Sequence, residues 1–179
     1  MLLSLGHNQL EGSMPPSMLR LTLVLVVLEL SDNRLAGSIP SAFISLTQLM
    51  ALVLNGNKLA GSIPAALSSL TQMGSLFLYG NQLTGSIPSS ISSLTQLHTL
   101  ILDNNLLTGS IPSSFSSSLT DLNQLVLEGN KLTGSIPSSF SSLTLLGIMY
   151  LNNNTLTRRK PSLFPFQSYG ASSVSGFLQ

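Results

Sequence analysis

Histidine and carboxylate are the side chains most often paired for acid–base chemistry, and this 179-residue chain holds two histidines, six acidic residues and no cysteine. A base and its orienting group must lie about 3 Å apart. His7 and His98 are remote from each other in sequence, and Asp103 lies five residues beyond His98. On one strand, at ~3.3 Å per residue, that spacing separates them by about 16 Å, so His98 reads as a polar surface residue. The lack of cysteine excludes disulfides, thiol nucleophiles and cysteine-ligated metals, and leaves the compartment open. The Gly-Ser pairs, as in LTGSIPSS at Leu83–Ser90, have the residue types of a phosphate-cradling loop. They lack the partners such a loop needs: no GKS or GKT follows, and no GxGxxG precedes a helix. No enzymatic activity, cofactor or metal is expected.

Charge narrows the choice further. Charged residues make up 7% of the chain, against about 25% in an average soluble protein. Net charge is +1, and Arg158, Arg159 and Lys160 hold three of the seven positive charges, leaving four basic against six acidic residues. The body therefore has no basic face with which to neutralise phosphates, and nucleic acid is not an expected partner. The apolar run Leu21–Leu28 (LTLVLVVL) has eight residues, far fewer than the ~20 of a membrane-spanning helix. It reads as a buried strand with its approach. The start, MLLSLGHNQL, lacks the basic segment and long apolar core of a signal peptide.

The elements that would position any site come from internal repetition. Asparagines at 8, 33, 57, 81, 105, 130 and 154 are separated by 25, 24, 24, 24, 25 and 24 residues. Leucines precede each at fixed offsets, as Leu49, Leu52 and Leu54 precede Asn57; a Leu, Gly, Ile and Pro follow, as Leu59, Gly61, Ile63 and Pro64 do. The Leu-x-Leu alternation has a strand's period, with leucines inward and the residue between them outward. The Gly permits a turn that a side chain would hinder, and the Pro biases the Ile before it toward extended geometry. SSISSL (Ser89–Leu94) has apolar residues spaced for one helical or 3₁₀ turn. The longer spacings each carry one extra residue between Pro and the next leucines, visible in the second case as the third serine of Ser116–Ser118. Asn33, Asn57, Asn81, Asn105, Asn130 and Asn154 read as structural: inward at the strand end, bonding the backbone of the bend. No unit closes a core alone, but stacked units do, each buried leucine contributing roughly 1.5–3 kcal/mol.

The pattern LxxLxLxxNxLxGxIP, as in Leu49–Pro64 (LMALVLNGNKLAGSIP), resembles the plant-type leucine-rich repeat. The resemblance spans about Leu3 to Thr157. It implies an α/β solenoid, a right-handed superhelix with a parallel concave β-sheet. It further implies a short second sheet at the Gly-x-Ile-Pro segments and 3₁₀ turns on the convex side. About seven units fill residues 1–157, the first and last incomplete, and 158–179 form a degenerate tail. The chain opens inside a repeat, the family's capping cysteine pairs are missing, and Arg158 and Lys160 stand where Gly and Ile belong. These departures read as a piece of a longer protein, resembling receptor-like kinase and receptor-like protein ectodomains and polygalacturonase-inhibitor-like proteins. The resemblance places such a chain outside the cell or on its surface, and the uncapped N-terminal edge is expected to associate.

Function is then sought where the scaffold leaves residue choice free. The outward column between the leucines runs Glu29, Val53, Phe77, Ile101, Val126, Tyr150. Two places on, it runs Ser31, Asn55, Tyr79, Asp103, Glu128, Asn152. Neighbouring strands lie ~4.8 Å apart, so Val53, Phe77, Ile101, Val126 and Tyr150 would form an exposed apolar stripe, flanked by Tyr79, Asp103 and Glu128. Such a stripe suits a protein, peptide or glycan ligand, although sheet stabilisation by β-branched and aromatic neighbours also explains it. The other reading is ice binding, through hydroxyl columns at Ser38, Ser62, Ser86, Ser110 and Ser135 and at Thr84, Thr108 and Thr133. Asn153-Asn154-Thr155 is the one glycosylation match.

Overall fold

The computed structural model describes residues 1–14 and 25–157. Arg158–Lys160, the tail, Leu21–Val24 and the first of the two extra repeat residues lie outside the described residues.

Seven short strands stack in parallel into one sheet. They are β1 (Leu2–Ser4), β3 (Val27–Glu29), β5 (Ala51–Val53), β7 (Ser75–Phe77), β9 (Thr99–Ile101), β10 (Gln124–Val126) and β11 (Ile148–Tyr150), hydrogen-bonded in that order. Four more form a second parallel sheet: β2 (Glu11–Gly12), β4 (Arg34–Gly37), β6 (Lys58–Ser62) and β8 (Gln82–Thr84). Isolated bridges Ser86–Thr108 and Ser135–Thr157 carry its line onward. This second sheet lies earlier in the repeat than the motif implied. Its strands begin just after the asparagine and end near the glycine, while the Ile–Pro step lies beyond them.

The chain returns through 3₁₀ turns at Ser41–Ser45, Ala65–Ser69, Ser89–Ser93 and Ser138–Ser142, each preceded by a proline. Each turn buries one apolar residue: Phe43, Leu67, Ile91 and Phe140. The extra serine changes this local geometry. Leu94 N–H bonds the Ile91 carbonyl three residues back, whereas Leu119 N–H bonds the Phe115 carbonyl four back, so Phe115–Ser118 is one turn of α-helix. Phe115 stays buried. The inserted residue is absorbed on the returning side, and β9 and β10 stay in register.

Between sheets and turns runs one continuous core of leucine, with isoleucine, phenylalanine and methionine between, from Met14 and Leu25 to Leu151. In the middle units Leu52, Leu54, Leu59, Leu76, Leu78 and Leu83 are wholly buried. Leu28 is buried in β3, as the apolar run Leu21–Leu28 suggested for its described end.

Two columns of backbone bends hold the units together. The glycine after the asparagine sits at positive φ, 75° at Gly109, and a Cβ there would lie 3.2 Å from the Ser86 Cβ of the preceding unit. At Gly109 glycine thus serves both the left-handed turn and the close approach of the preceding unit. The residue before each asparagine is also left-handed: His7, Asp32, Gly56, Gly80, Asn104, Gly129 and Asn153. From the sequence, only the glycine after the asparagine reads as a turn. The signal for the second column is nevertheless present, since Gly, Asn, Asp and His are the types enriched at positive φ.

A ladder of asparagines and an apolar groove

The asparagines form a ladder inside the bend. Asn57 Nδ2 donates to the Leu54 and Asn55 carbonyls of its own unit and to Leu30 O of the preceding one, at 3.2, 3.1 and 2.9 Å. Its Oδ1 accepts the Leu35 N–H at 2.9 Å. Asn33, Asn81, Asn105, Asn130 and Asn154 repeat the same four bonds. Each therefore ties two units, and Asn33, Asn57, Asn81, Asn105 and Asn130 are buried, while Asn154 in the last described unit is half-buried.

The outward columns lie side by side in strict register. Val53 pairs with Phe77, Phe77 with Ile101, Ile101 with Val126, and Val126 with Tyr150. The stripe is less exposed than its outward position suggested. Val53, Phe77 and Ile101 are half-buried, Val126 is only 9% exposed, and Tyr150 reaches 37%. At ~4.8 Å spacing, large neighbours on both sides cover a central residue, and Val126 lies between Ile101 and Tyr150. The result is a groove instead of a flat apolar strip.

That groove is shallow and holds about 440 Å³. Phe77, Ile101, Val126 and Tyr150 line it together with Tyr79, Asp103 and Glu128. Gln124 and Ile148, from the column two places earlier, complete the lining; Val53 is not part of it. A hollow of about 500 Å³ on the side wall is lined by Ser89, Ser110, Ile111, Pro112, Ser113, Ser114, Ser135 and Pro137. It offers serine and backbone, whereas the concave groove combines aromatic faces with charge, and aromatic anchors dominate interface energetics.

The electrostatics of the groove are one-sided. Burial pushes the Asp103 carboxyl above its ordinary value, and the Glu128 charge adds to this, against a hydrogen bond from Asn104 Nδ2 at 2.7 Å. The Tyr79 phenol is pushed up by burial and by the charges of Asp32 and Asp103. Asp32 does not line the groove, but its charge reaches Tyr79, an influence its sequence position did not reveal. It also meets His7, with Nδ1 and Oδ2 3.3 Å apart across the exposed turn. His98 contacts its neighbour Thr99 Oγ1 at 3.2 Å, while Asp103 takes the Asn104 amide.

Glu29, at the head of the apolar column, has a different role. Burial pushes its carboxyl up, but the Ser31 and Ser4 hydroxyls and the Ser31 and Gly6 amides outweigh this and hold it at about 2. Ser4 Oγ and Gly6 N donate at 2.6 and 2.9 Å, so one carboxylate joins β1 to β3. Among the described residues, no helix is long and apolar enough to cross a membrane, and no cluster of three or more His, Asp or Glu could hold a metal.

Leucine-rich-repeat family models match residues 24–83 and 95–156, and another such model matches 73–94. The chain belongs to the leucine-rich-repeat family. Its repeats are of the plant type, similar to those of plant receptor-kinase ectodomains. It is 40% identical to the ectodomain of the Arabidopsis receptor kinase HAESA, solved with an N-terminally extended IDA peptide hormone ligand. That match covers 88% of this chain and 26% of the other, with a TM-score of 0.83. The Arabidopsis thaliana membrane receptor kinase GASSHO1/SCHENGEN3, solved with CASPARIAN STRIP INTEGRITY FACTOR 2, is 39% identical over 85% of this chain and 18% of that one, with a TM-score of 0.81. A plant ice-binding protein is 29% identical over 86% of this chain and 57% of that one, with a TM-score of 0.78. The chain thus spans about a quarter or less of the two receptor ectodomains. No curated protein sequence matches.

Proposed function

We propose that this chain is the recognition segment of a receptor-like or inhibitor-like protein outside the cell, binding a protein, peptide or glycan ligand on its concave sheet without catalysis. The observation that carries the reading is the groove over β7–β11, apolar along its floor and acidic along one rim. Scaffold geometry dictates the inward leucines but not these outward side chains, and cross-strand packing alone accounts for apolar neighbours but not for the acidic rim beside them. The HAESA and GASSHO1/SCHENGEN3 structures, which contain a peptide hormone and CASPARIAN STRIP INTEGRITY FACTOR 2, support a peptide as the ligand. Val53 and Tyr150 extend the surface at either end, and Phe77 and Tyr79 supply aromatic faces at the β7 side of the groove.

The test is a ligand screen by display on the native chain, followed by Phe77→Ala with Tyr79→Ala. Loss of these two aromatics should weaken any groove ligand at least roughly tenfold. Ligands bound at full strength by the double variant place recognition elsewhere.

A second reading has its own support. Thr84, Thr108 and Thr133 and Ser38, Ser62, Ser86 and Ser110 are exposed in columns on the wall of the second sheet, and one similar solved structure is an ice-binding protein. This reading requires inhibition of ice recrystallisation by the purified chain, lost on bulky substitution of Thr84 and Thr108 and indifferent to Phe77 and Tyr79.

A further inference from the structure

The concave face carries charge of one sign. On the outward positions of the described sheet and its following bend, the acidic residues are Glu29, Asp32, Asp103 and Glu128, and no lysine or arginine occurs. Glu29 is already satisfied by its four donors, and Asp32 by His7. Asp103 and Glu128 differ. Among the described residues neither has an ion pair, and the Asp103 carboxylate has one side-chain donor, Asn104. They stand on adjacent units at equivalent positions, two residues past Ile101 and Val126, close enough that Glu128 helps push the Asp103 carboxyl up. Two carboxylates in such proximity, beside a half-buried phenol, form a site whose repulsion a cation would relieve.

The geometry adds a second requirement. The acidic column lies two residues beyond the apolar column, where the chain leaves each strand, a separation of about 7 Å if it stays extended. An extended peptide places its own side chains i and i+2 at the same separation on one face. A planar guanidinium also suits the setting better than an ammonium, because it can bridge two carboxylates and stack on Tyr79 at once. We infer that the groove selects an extended peptide carrying arginine two positions from an apolar residue, the arginine seated between Asp103, Glu128 and Tyr79 and the apolar side chain over Ile101 and Val126. This deepens the concave-face reading above and rests on it.

Fluorescent pools of short peptides can separate the two ideas: one pool fixed as Arg-x-Leu, one with citrulline replacing arginine, and one fixed as Arg-x-Gly. Citrulline keeps the shape and removes the charge. The native chain should bind the Arg-x-Leu pool roughly tenfold or more tightly than either other pool by anisotropy, with a preference over citrulline that fades with salt. Asp103→Asn with Glu128→Gln should abolish that preference while leaving citrulline-pool affinity and thermal unfolding in place. Equal binding of the arginine and citrulline pools, or an arginine preference that survives the double acid variant, overturns the inference. If the pools bind without preference and Phe77→Ala still weakens them, the concave-face reading stands while the arginine inference falls. Binding indifferent to Phe77→Ala as well defeats both.

Discussion

Removal of a single rung from the asparagine ladder probes how the units are joined. Asn105 is 6% exposed, and its Oδ1 accepts the Leu83 N–H at 3.0 Å. Its Nδ2 donates to Leu78 O, Leu102 O and Asp103 O at 3.0, 3.1 and 3.2 Å. These four bonds are not equally irreplaceable. The Leu78 carbonyl also receives Asn81 Nδ2, the Leu102 carbonyl receives Asn130 Nδ2, and the Asp103 carbonyl receives the Gly80 amide. Those three carbonyls therefore keep a partner when Asn105 is lost, whereas Leu83 N–H has no substitute. Asn105→Ala should orphan one buried donor at ~1–3 kcal/mol and thin three shared acceptors, for a total of about 2–4 kcal/mol. The readouts are urea unfolding and hydrogen exchange at the Leu83 amide, which should lose protection selectively. Asn105→Asp sharpens the test, because it keeps the acceptor for Leu83 but turns a carboxylate toward three carbonyls. It should be no more stable than the alanine variant at neutral pH and should recover as acid protonates the new group. A cost under ~0.5 kcal/mol for Asn105→Ala, with Leu83 protection unchanged, would refute the reasoning.

Three further outcomes concern other parts of the structure. Glu29 has its pKa lowered from 4.5 to about 2, so its contribution is present above pH 4.5 and is lost as pH falls through about 2. Discounted for solvent screening it should be about 1 kcal/mol, and acid titration of Glu29→Ala, followed by exchange at the Gly6 amide, should lack that dependence. Gly109→Ala must place a Cβ at φ 75° and 3.2 Å from Ser86 Cβ, whereas Gly12→Ala at φ 79° meets nothing within 4 Å. The left-handed backbone costs either variant roughly 1–2 kcal/mol; Gly109→Ala should cost more in thermal unfolding, and Ser86→Gly should restore only the excess. The folded state holds the Asp103 proton more tightly than the unfolded chain does, chiefly through burial. Ionisation therefore costs stability as pH rises past the ordinary carboxylate range, and Asp103→Asn should be at least as stable as the native chain at neutral pH while binding arginine peptides less well.

Periodicity made most of the scaffold legible. The asparagine spacing set the unit, and the Leu-x-Leu alternation set which side chains face inward, because strand geometry has a period of two. Local residue types were enough for one short turn per unit, since Pro precedes it and one apolar residue anchors it, but not for its type, which is 3₁₀ in most units and α at Phe115–Ser118. The boundaries of the second sheet were less legible. Its strands depend on hydrogen bonds between units, as when Arg34 N–H meets Leu10 O, and not on the Gly-x-Ile-Pro chemistry within one unit. The left-handed column before the asparagines was harder to read, because its seven positions share a backbone geometry while spreading the signal over four residue types, all of them tolerant of positive φ.

The candidate site divides along the same line. The repeat pattern was enough for the solenoid, its register, and therefore for Phe77, Tyr79, Ile101, Asp103, Val126, Glu128 and Tyr150 sharing one face; all seven line the groove. How much of each is available depends on the packing between units. Stacking at strand spacing buries Val126 between larger neighbours, leaves Val53 outside the groove, and brings Gln124 and Ile148 into it. It also brought Asp32 within electrostatic reach of Tyr79 across units and closed Ser4, Gly6 and Ser31 around Glu29. A repeat fixes direction through chain geometry, but exposure and charge depend on which side chains neighbouring units set beside one another.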